Sequence, residues 1–527
     1  MAETYALCDE GTPATLTPRE GGQTAVVVAA TVLAAVLRIY QLTRPGFLHG
    51  VTEYDDGVYF GSAVALIHGH VPYRDFVLVQ PPGVVLLMTP VAWLTGGFST
   101  STGLALARIL TAGVGVAAIP LAGRLVRGRG TLAATIVCGF LAVYPAGINA
   151  AHTLLLEPWL VLFCLLGMLL LFEGDLLTVT PARLAAAGVA FGLAVSVKLW
   201  GALPLAVALL LCLRGPGRRQ TGWLCAGAAG SLALAVLPLA ASAPHSFLRA
   251  VIEAQLRRTD VGRVSVTERL TTLTGLGVFA PVSQAVVVLG AVLLLAVIIG
   301  ATVATWRRER RAPAPLEAFA LITAGLVVVL FMWPADFFPH YGWFLAPFLA
   351  LAIGLPVGRL QRRGGGRGAA AVALTTGAAC LLVAGLQLHQ LSRLNAQDPA
   401  VAAHRTIPAG ACVLTDLTSM TLSAGRFISR VPGCPTIIDG LGTDLALSLG
   451  RIGTNGAGRT PAVERAWLGA FRQAGYVWLQ CRPDLRPRCP TPRRIAWTPA
   501  IRRYLAVHFR LVRSPGAPPN LYVRRRA

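Results

Sequence analysis

Pro81-Pro82-Gly83-Val84-Val85-Leu86-Leu87-Met88-Thr89-Pro90-Val91-Ala92-Trp93-Leu94 is the stretch on which the topology turns. Counted as a membrane span, it inverts every later segment; left out, it belongs to one long loop. The apolar run 82–94 falls short of the roughly 20 residues that cover a bilayer core, and it contains Pro90. It reads as a helix lying in the interface. With it excluded, Arg124/Arg127/Arg129, Arg214/Arg218/Arg219, Arg307/Arg308/Arg310/Arg311 and Arg359/Arg362/Arg363/Arg367 all fall on the cytoplasmic side. Basic clusters in short loops stay cytoplasmic, so charge favours exclusion.

Outward from that stretch, apolar blocks recur along the chain. Of 527 residues, 55% are hydrophobic and 13% charged. This excludes disordered, collagenous and disulfide-framework proteins as well as an ordinary soluble domain, and it describes an α-helical polytopic membrane protein. Eleven spans are expected, at 23–42 and then roughly 103–123, 131–149, 154–173, 183–198, 199–213, 222–241, 280–304, 316–334, 341–359 and 369–389. Residues 1–21 are a cytoplasmic tail, because Glu3, Asp9, Glu10 and Glu20 have the wrong sign for a signal peptide. The membrane domain, 22–391, carries external loops at 43–102 and 242–276. The second holds Arg249, Arg257, Arg258, Arg263 and Arg269, which a long loop tolerates outside.

Residues 392–527 have the composition of a small extracytoplasmic α/β domain. β-like runs lie at 412–414, 436–438, 476–479 and 521–523, and helical patterns at 421–428, 462–474 and 499–507. Its 20 arginines against six acids would draw it to anionic lipid or glycan. The net charge of +23 over the whole chain is largely topological, so nucleic acid is not an expected partner. Of ten cysteines, Cys138, Cys164, Cys212, Cys225 and Cys380 lie in apolar spans and Cys8 in the tail. Cys412, Cys434, Cys481 and Cys489 are the external disulfide candidates, Cys481/Cys489 being the easier pair by spacing.

An ionisable group within a span costs roughly 2.5–3.5 kcal/mol at the bilayer centre, so each is a functional position by default. Four features qualify or adjoin one. Glu53-Tyr54-Asp55-Asp56-Gly57-Val58-Tyr59 opens a helix-like stretch in the first external loop. Adjacent helical side chains point about 100° apart, so Asp55 and Asp56 cannot address one atom. Either one reacts while the other caps the helix or binds a cation, or both only cap it. Glu157, before Pro158-Trp159, stands at the outer end of the fourth span. Lys198, the one lysine among 46 basic residues, stands at the outer end of the fifth. It either snorkels to the interface or offers phosphate a compact ammonium. Trp333 to Tyr341 form an aromatic turn in which His340 and Tyr341 are the polar candidates, and Arg74, Asp75 and Gln80 belong to the same outer layer.

Across residues 22–360, one ordered set of motifs includes Tyr54-Asp55-Asp56-Gly57-Val58-Tyr59, Val71-Pro72-Tyr73-Arg74-Asp75-Phe76 and Gln80-Pro81-Pro82-Gly83. It continues with Leu156-Glu157-Pro158, Lys198-Leu199-Trp200-Gly201 and Pro339-His340-Tyr341. In this order the chain resembles the GT-C superfamily of polyprenyl-phosphate-sugar glycosyltransferases, especially the protein-mannosyltransferase-like and aminoarabinose-transferase-like branch. The resemblance implies a first external loop with two juxtamembrane helices, in agreement with the charge reading. Family members commonly carry Asp-Glu where this chain has Asp55-Asp56.

The resemblance also implies the chemistry, transfer of a sugar from a polyprenyl-phosphate donor to a hydroxyl acceptor. Phosphate leaves without a second carboxylic acid to protonate it. Asp55 is then the general base, with Asp56 and Glu157 as further catalytic carboxylates. Lys198 with Arg257 or Arg258 would bind the donor phosphate, and Arg74, Gln80, His340 and Tyr341 the rest of the substrates. Glu157 would position the acceptor, hold His340, or join Asp55 on a divalent metal, the one cofactor this set admits. Expected partners are the lipid-linked donor, an envelope glycan, glycolipid or protein acceptor, and membrane lipids, in a bacterial plasma membrane. A lipid or glycan transporter is the alternative, against which stand the absence of inverted halves and of paired broken helices. A glycan-binding scaffold is a third.

Overall fold

The computed structural model describes residues 18–215, 218–258, 263–275, 283–310, 312–363, 366–449, 460–481 and 494–525. Six of its helices are long and apolar enough to cross a bilayer: Gly21–Leu42, Thr100–Leu125, Arg218–Ala240, Gln284–Arg308, Pro339–Leu360 and Gly368–Ser392. A seventh span results if Thr131–Val143 and Pro145–Ala151, bent by 51°, are taken together. The bend falls at Tyr144-Pro145, because proline cannot donate to the preceding turn. Leu156–Leu171, Pro181–Val197, Leu199–Arg214 and Pro315–Phe331 coincide with four more expected spans but are shorter. A 17-residue helix reaches about 26 Å, so length establishes six or seven spans rather than eleven.

Gly83–Leu94 is a 12-residue helix with Pro90 inside it, as the opening stretch implies for an interfacial segment. It packs against the helix Asp55–Ile67, and both belong to the loop after the first span. Gly83 lets it approach the end of Pro181–Val197, since a Cβ there would lie 2.5 Å from the Ser196 carbonyl oxygen. The interfacial helix is thereby brought beside Lys198.

At the C-terminal end, Val413–Thr415, Tyr476–Trp478, Leu521–Arg524 and Phe509–Leu511 form a four-stranded sheet in that spatial order. The first pair is parallel and the others antiparallel. Pro461–Gln473 and Pro499–His508 cover it, burying Trp467, Phe471, Ile501 and Phe509. Thr460 and Thr498 cap these two helices through their hydroxyls, and Pro at the first helical position suits each start. Two expectations are corrected. Residues 436–438 are not a strand, because no neighbour pairs with them. The helix expected at 421–428 is Thr418–Ser423, stopped where Gly425 takes a φ of +60°. Phe509–Leu511 and the helices Ala400–Thr406 and Gly440–Leu447 were not expected.

The C-terminal sheet and its helices are tied to the first loop by hydrogen bonds. Val51 N–H donates to Gln397 O at 2.8 Å, and Thr100 Oγ1 donates to Leu422 O at 2.7 Å. Gly57 is pressed so close to Ser419 that a Cβ would meet its backbone nitrogen at 2.3 Å. Cys412 and Cys434 form a disulfide. Cys481 is also disulfide-bonded, whereas Cys489 lies outside the described residues.

Candidate active site

Two breaks in helical structure bring the principal charges together. The chain is extended at Lys198 (φ −152°, ψ 134°), between Pro181–Val197 and the next helical turn, which releases its side chain from the bundle. Glu157 lies in the first turn of Leu156–Leu171, where the dipole favours an acid. Lys198 Nζ donates to Glu157 Oε1 at 2.6 Å, and both side chains are buried. The ammonium also lies 3.6 Å from the Trp200 ring centroid and 4.2 Å from that of Tyr341. A carboxylate and two aromatic faces thus enclose one compact cation. His340 Nε2 stands 3.9 Å from the same Glu157 oxygen.

Asp55 joins this group in one cavity of about 270 Å³, which Gln80, Glu157, Lys198, Arg258, His340 and Tyr341 also line. Seven of the candidate side chains read from the sequence therefore share a single enclosure. Burial, then the carboxylates of Glu53, Asp439 and Glu157, push the Asp55 carboxyl up to about 8, with Lys198 pulling the other way. Arg258 reaches Asp336 at 3.8 Å on the cavity wall.

Three candidates lie elsewhere. Asp56, one residue from Asp55, turns into the protein and is fully buried. It accepts from Arg108 Nη2, Thr153 Oγ1 and Ser419 Oγ, each at 2.6 Å. Burial acts to raise its carboxyl, but the Arg108 ion pair and the two hydroxyls outweigh it and hold the group below the usual carboxylate range. The 100° helical offset is the reason the two acids part. Arg74 is exposed and paired with Asp75 at 2.8 Å. Arg257 is exposed and does not line the cavity, whereas Arg258 does.

The sequence reading missed a wall of the cavity that comes from the C-terminal part of the chain. Asp439, Leu441, Gly442, Leu445 and Arg494 line it, along with Glu53. Asp439 Oδ1 accepts from Tyr54 O–H and from Gly442 N–H, both at 2.7 Å, and so caps the helix Gly440–Leu447. Burial raises its carboxyl despite these two donors. The Arg494 guanidinium lies 4.5 Å from the Tyr54 ring centroid. Arg108 carried a readable signal, a charge within an apolar span; Asp439 and Arg494 carried none, because they arrive by tertiary folding.

The arrangement offers a carboxylate, fixed cations and a partly apolar enclosure, which suits proton removal beside a bound anion. A metal site does not assemble: among the described residues no three His, Cys, Asp or Glu side chains come together to hold an ion. Glu157 is already engaged by Lys198, so the pair Asp55 and Glu157 does not fit a resident metal.

The fold is shared with membrane glycosyltransferases. ArnT from Cupriavidus metallidurans in the apo state aligns with a TM-score of 0.55 at 16% identity, covering 76% of this chain and 84% of that one. The same enzyme bound to undecaprenyl phosphate gives 0.53 at 17% identity, covering 77% and 85%. The oligosaccharyltransferase of Archaeoglobus fulgidus gives 0.52 at 16% identity, covering 86% and 67%. No curated protein sequence matches the chain. The helical bundle is that of a polytopic membrane protein, in the fold these structures share. Residues 79–334 match the model of glycosyltransferase family 87, and the chain is a glycosyltransferase.

Proposed function

We propose that this glycosyltransferase moves a sugar from a polyprenyl-phosphate donor to a hydroxyl acceptor at the outer face of a bacterial plasma membrane, with Asp55 as general base. The observation that carries the reading is the enclosure of Asp55 in one cavity with Lys198, Arg258 and His340. Undecaprenyl phosphate bound to ArnT supports the donor class, since the two proteins share a fold. Lys198 and Arg258 would take up the charge that grows on the departing phosphate. Asp55 removes the acceptor proton as its oxygen attacks the anomeric carbon from the opposite side, so configuration inverts. Glu157 holds the Lys198 ammonium and faces His340, a positioning role. Asp56 holds the helix that presents Asp55. The N-terminus is cytoplasmic and residues 392–527 are external in this reading.

The test is label transfer. Radioactive sugar should leave polyprenyl phosphate and become covalently attached to an acceptor in membranes carrying the protein. Asp55→Asn should abolish this while expression persists, and NMR of the product from a β-linked donor should show the α-anomer. Near-normal turnover in Asp55→Asn overturns the base assignment, and retained configuration overturns direct displacement.

A further inference from the structure

A second cavity, of about 400 Å³, lies where the C-terminal half of the helix Asp55–Ile67 meets the loop 427–438. It shares both walls with the first. Asp55, Val58 and Tyr59 face the transfer cavity, and farther along the same helix Val64, Ala65 and His68 face the second. On the opposite wall, Ile437 and Ile438 line the second cavity and the next residue, Asp439, lines the first. Adjacent residues in extended chain point to opposite sides, so this segment divides the two. From Asp55 to His68 the helix rises about 20 Å.

The two cavities differ in their acids, though both hold cations. The transfer cavity holds the acids Glu53, Asp55, Glu157, Asp336 and Asp439. The second holds no Asp or Glu among its described lining residues, but presents Arg430, His68 and His70 with hydroxyls of Ser429, Thr415 and Thr436. Asp75, which feels the charge of His70, is held by Arg74 at 2.8 Å. The floor is braced: Cys434 lines the cavity and is bonded to Cys412, beside the strand Val413–Thr415, which lines it as well. Arg430 N–H donates to Gly410 O at 2.8 Å, which fixes the base of that side chain. A loop fixed in this way binds without the cost of ordering itself.

We propose that this second cavity holds an acidic group, carboxylate or phosphate, of the acceptor saccharide. The assignment as an acceptor subsite rests on the transferase reading; the preference for an acidic saccharide does not. Basic donors with no competing carboxylate favour an anion over a neutral sugar.

The experiment uses the full chain in nanodiscs of neutral phosphatidylcholine, with a glucuronate-containing disaccharide and the neutral disaccharide cellobiose as probes, followed by saturation-transfer NMR. The acidic disaccharide should bind about tenfold or more tightly than the neutral one. Replacing Arg430, His68 and His70 together by glutamine should erase that preference, and Arg430→Lys alone should largely keep it. All three side chains are exposed, and an unchanged melting temperature verifies that the variants fold. Asp55→Asn should leave binding unchanged, which separates this result from any failure of the base assignment. Equal binding of the two probes, or a preference that survives the triple substitution, overturns the proposal. Loss of disaccharide binding when phosphatidylglycerol enters the nanodisc would assign the cavity to a lipid headgroup and overturn it too.

Discussion

Transfer should switch on with rising pH through the titration of Asp55. Its ordinary carboxyl value is 3.8, and burial with Glu53, Asp439 and Glu157 pushes it up to about 8 in the unliganded site. A base with that value is ionised in about one molecule in a hundred at pH 6, about one in eleven at pH 7 and half at pH 8. The ratio kcat/KM should therefore climb nearly tenfold per unit to pH 7 and level off above pH 8. Glu53→Gln removes a carboxylate that raises the value, so the rising limb should move to lower pH. The measurement is label transfer in sealed right-side-out vesicles between pH 5.5 and 9. Stability has the opposite sign. A raised carboxyl favours the protonated folded state, a contribution complete below about pH 4 and lost as pH rises through 8. Asp55→Asn should accordingly raise the melting temperature at pH 9 and not at pH 4. A flat rate profile, or a limb unmoved by Glu53→Gln, refutes the reasoning.

Lys198→Arg keeps the charge but puts a planar guanidinium where Trp200, Tyr341 and Glu157 enclose an ammonium. The broader planar fork does not fit the place of a compact ammonium between two ring faces and Glu157, so turnover should fall by about tenfold or more, as label transfer would show. Equal activity would leave Lys198 only an interfacial role. Arg108→Gln strands the buried Asp56 carboxylate and should cost about 3–5 kcal/mol, read as a lower melting temperature or yield. Adding Asp56→Asn should recover part of that loss, because the two side chains are in direct contact.

Much of the site was legible because each element of it leaves a local mark. The apolar run 82–94 is short, the basic clusters alternate with apolar blocks, and Lys198 stands alone in an arginine chain. Asp55, Glu157 and His340 fall at helix ends, where sequence periodicity locates them. The division of labour between Asp55 and Asp56 was legible as a 100° offset, but not its direction, which depends on where Arg108, Thr153 and Ser419 lie. The wall made by Asp439 and Arg494 left no trace, since no spacing links residue 54 to residue 439. Among the disulfide candidates, Cys412 and Cys434, 22 residues apart, meet because a strand and a loop pack side by side, which no short spacing announces.

The bond between Tyr54 and Asp439 joins residues 385 positions apart. A ribosome adding about 5–20 residues per second needs roughly 20–80 s to travel that distance. Asp55 is made at the start of that interval and Lys198 within it, yet until its end the pocket lacks the wall that Asp439 supplies. Competence therefore arrives only with the last quarter of the polypeptide. A chain cut short before residue 439 would keep Asp55, Glu157 and Lys198 but leave their cavity without its closing wall.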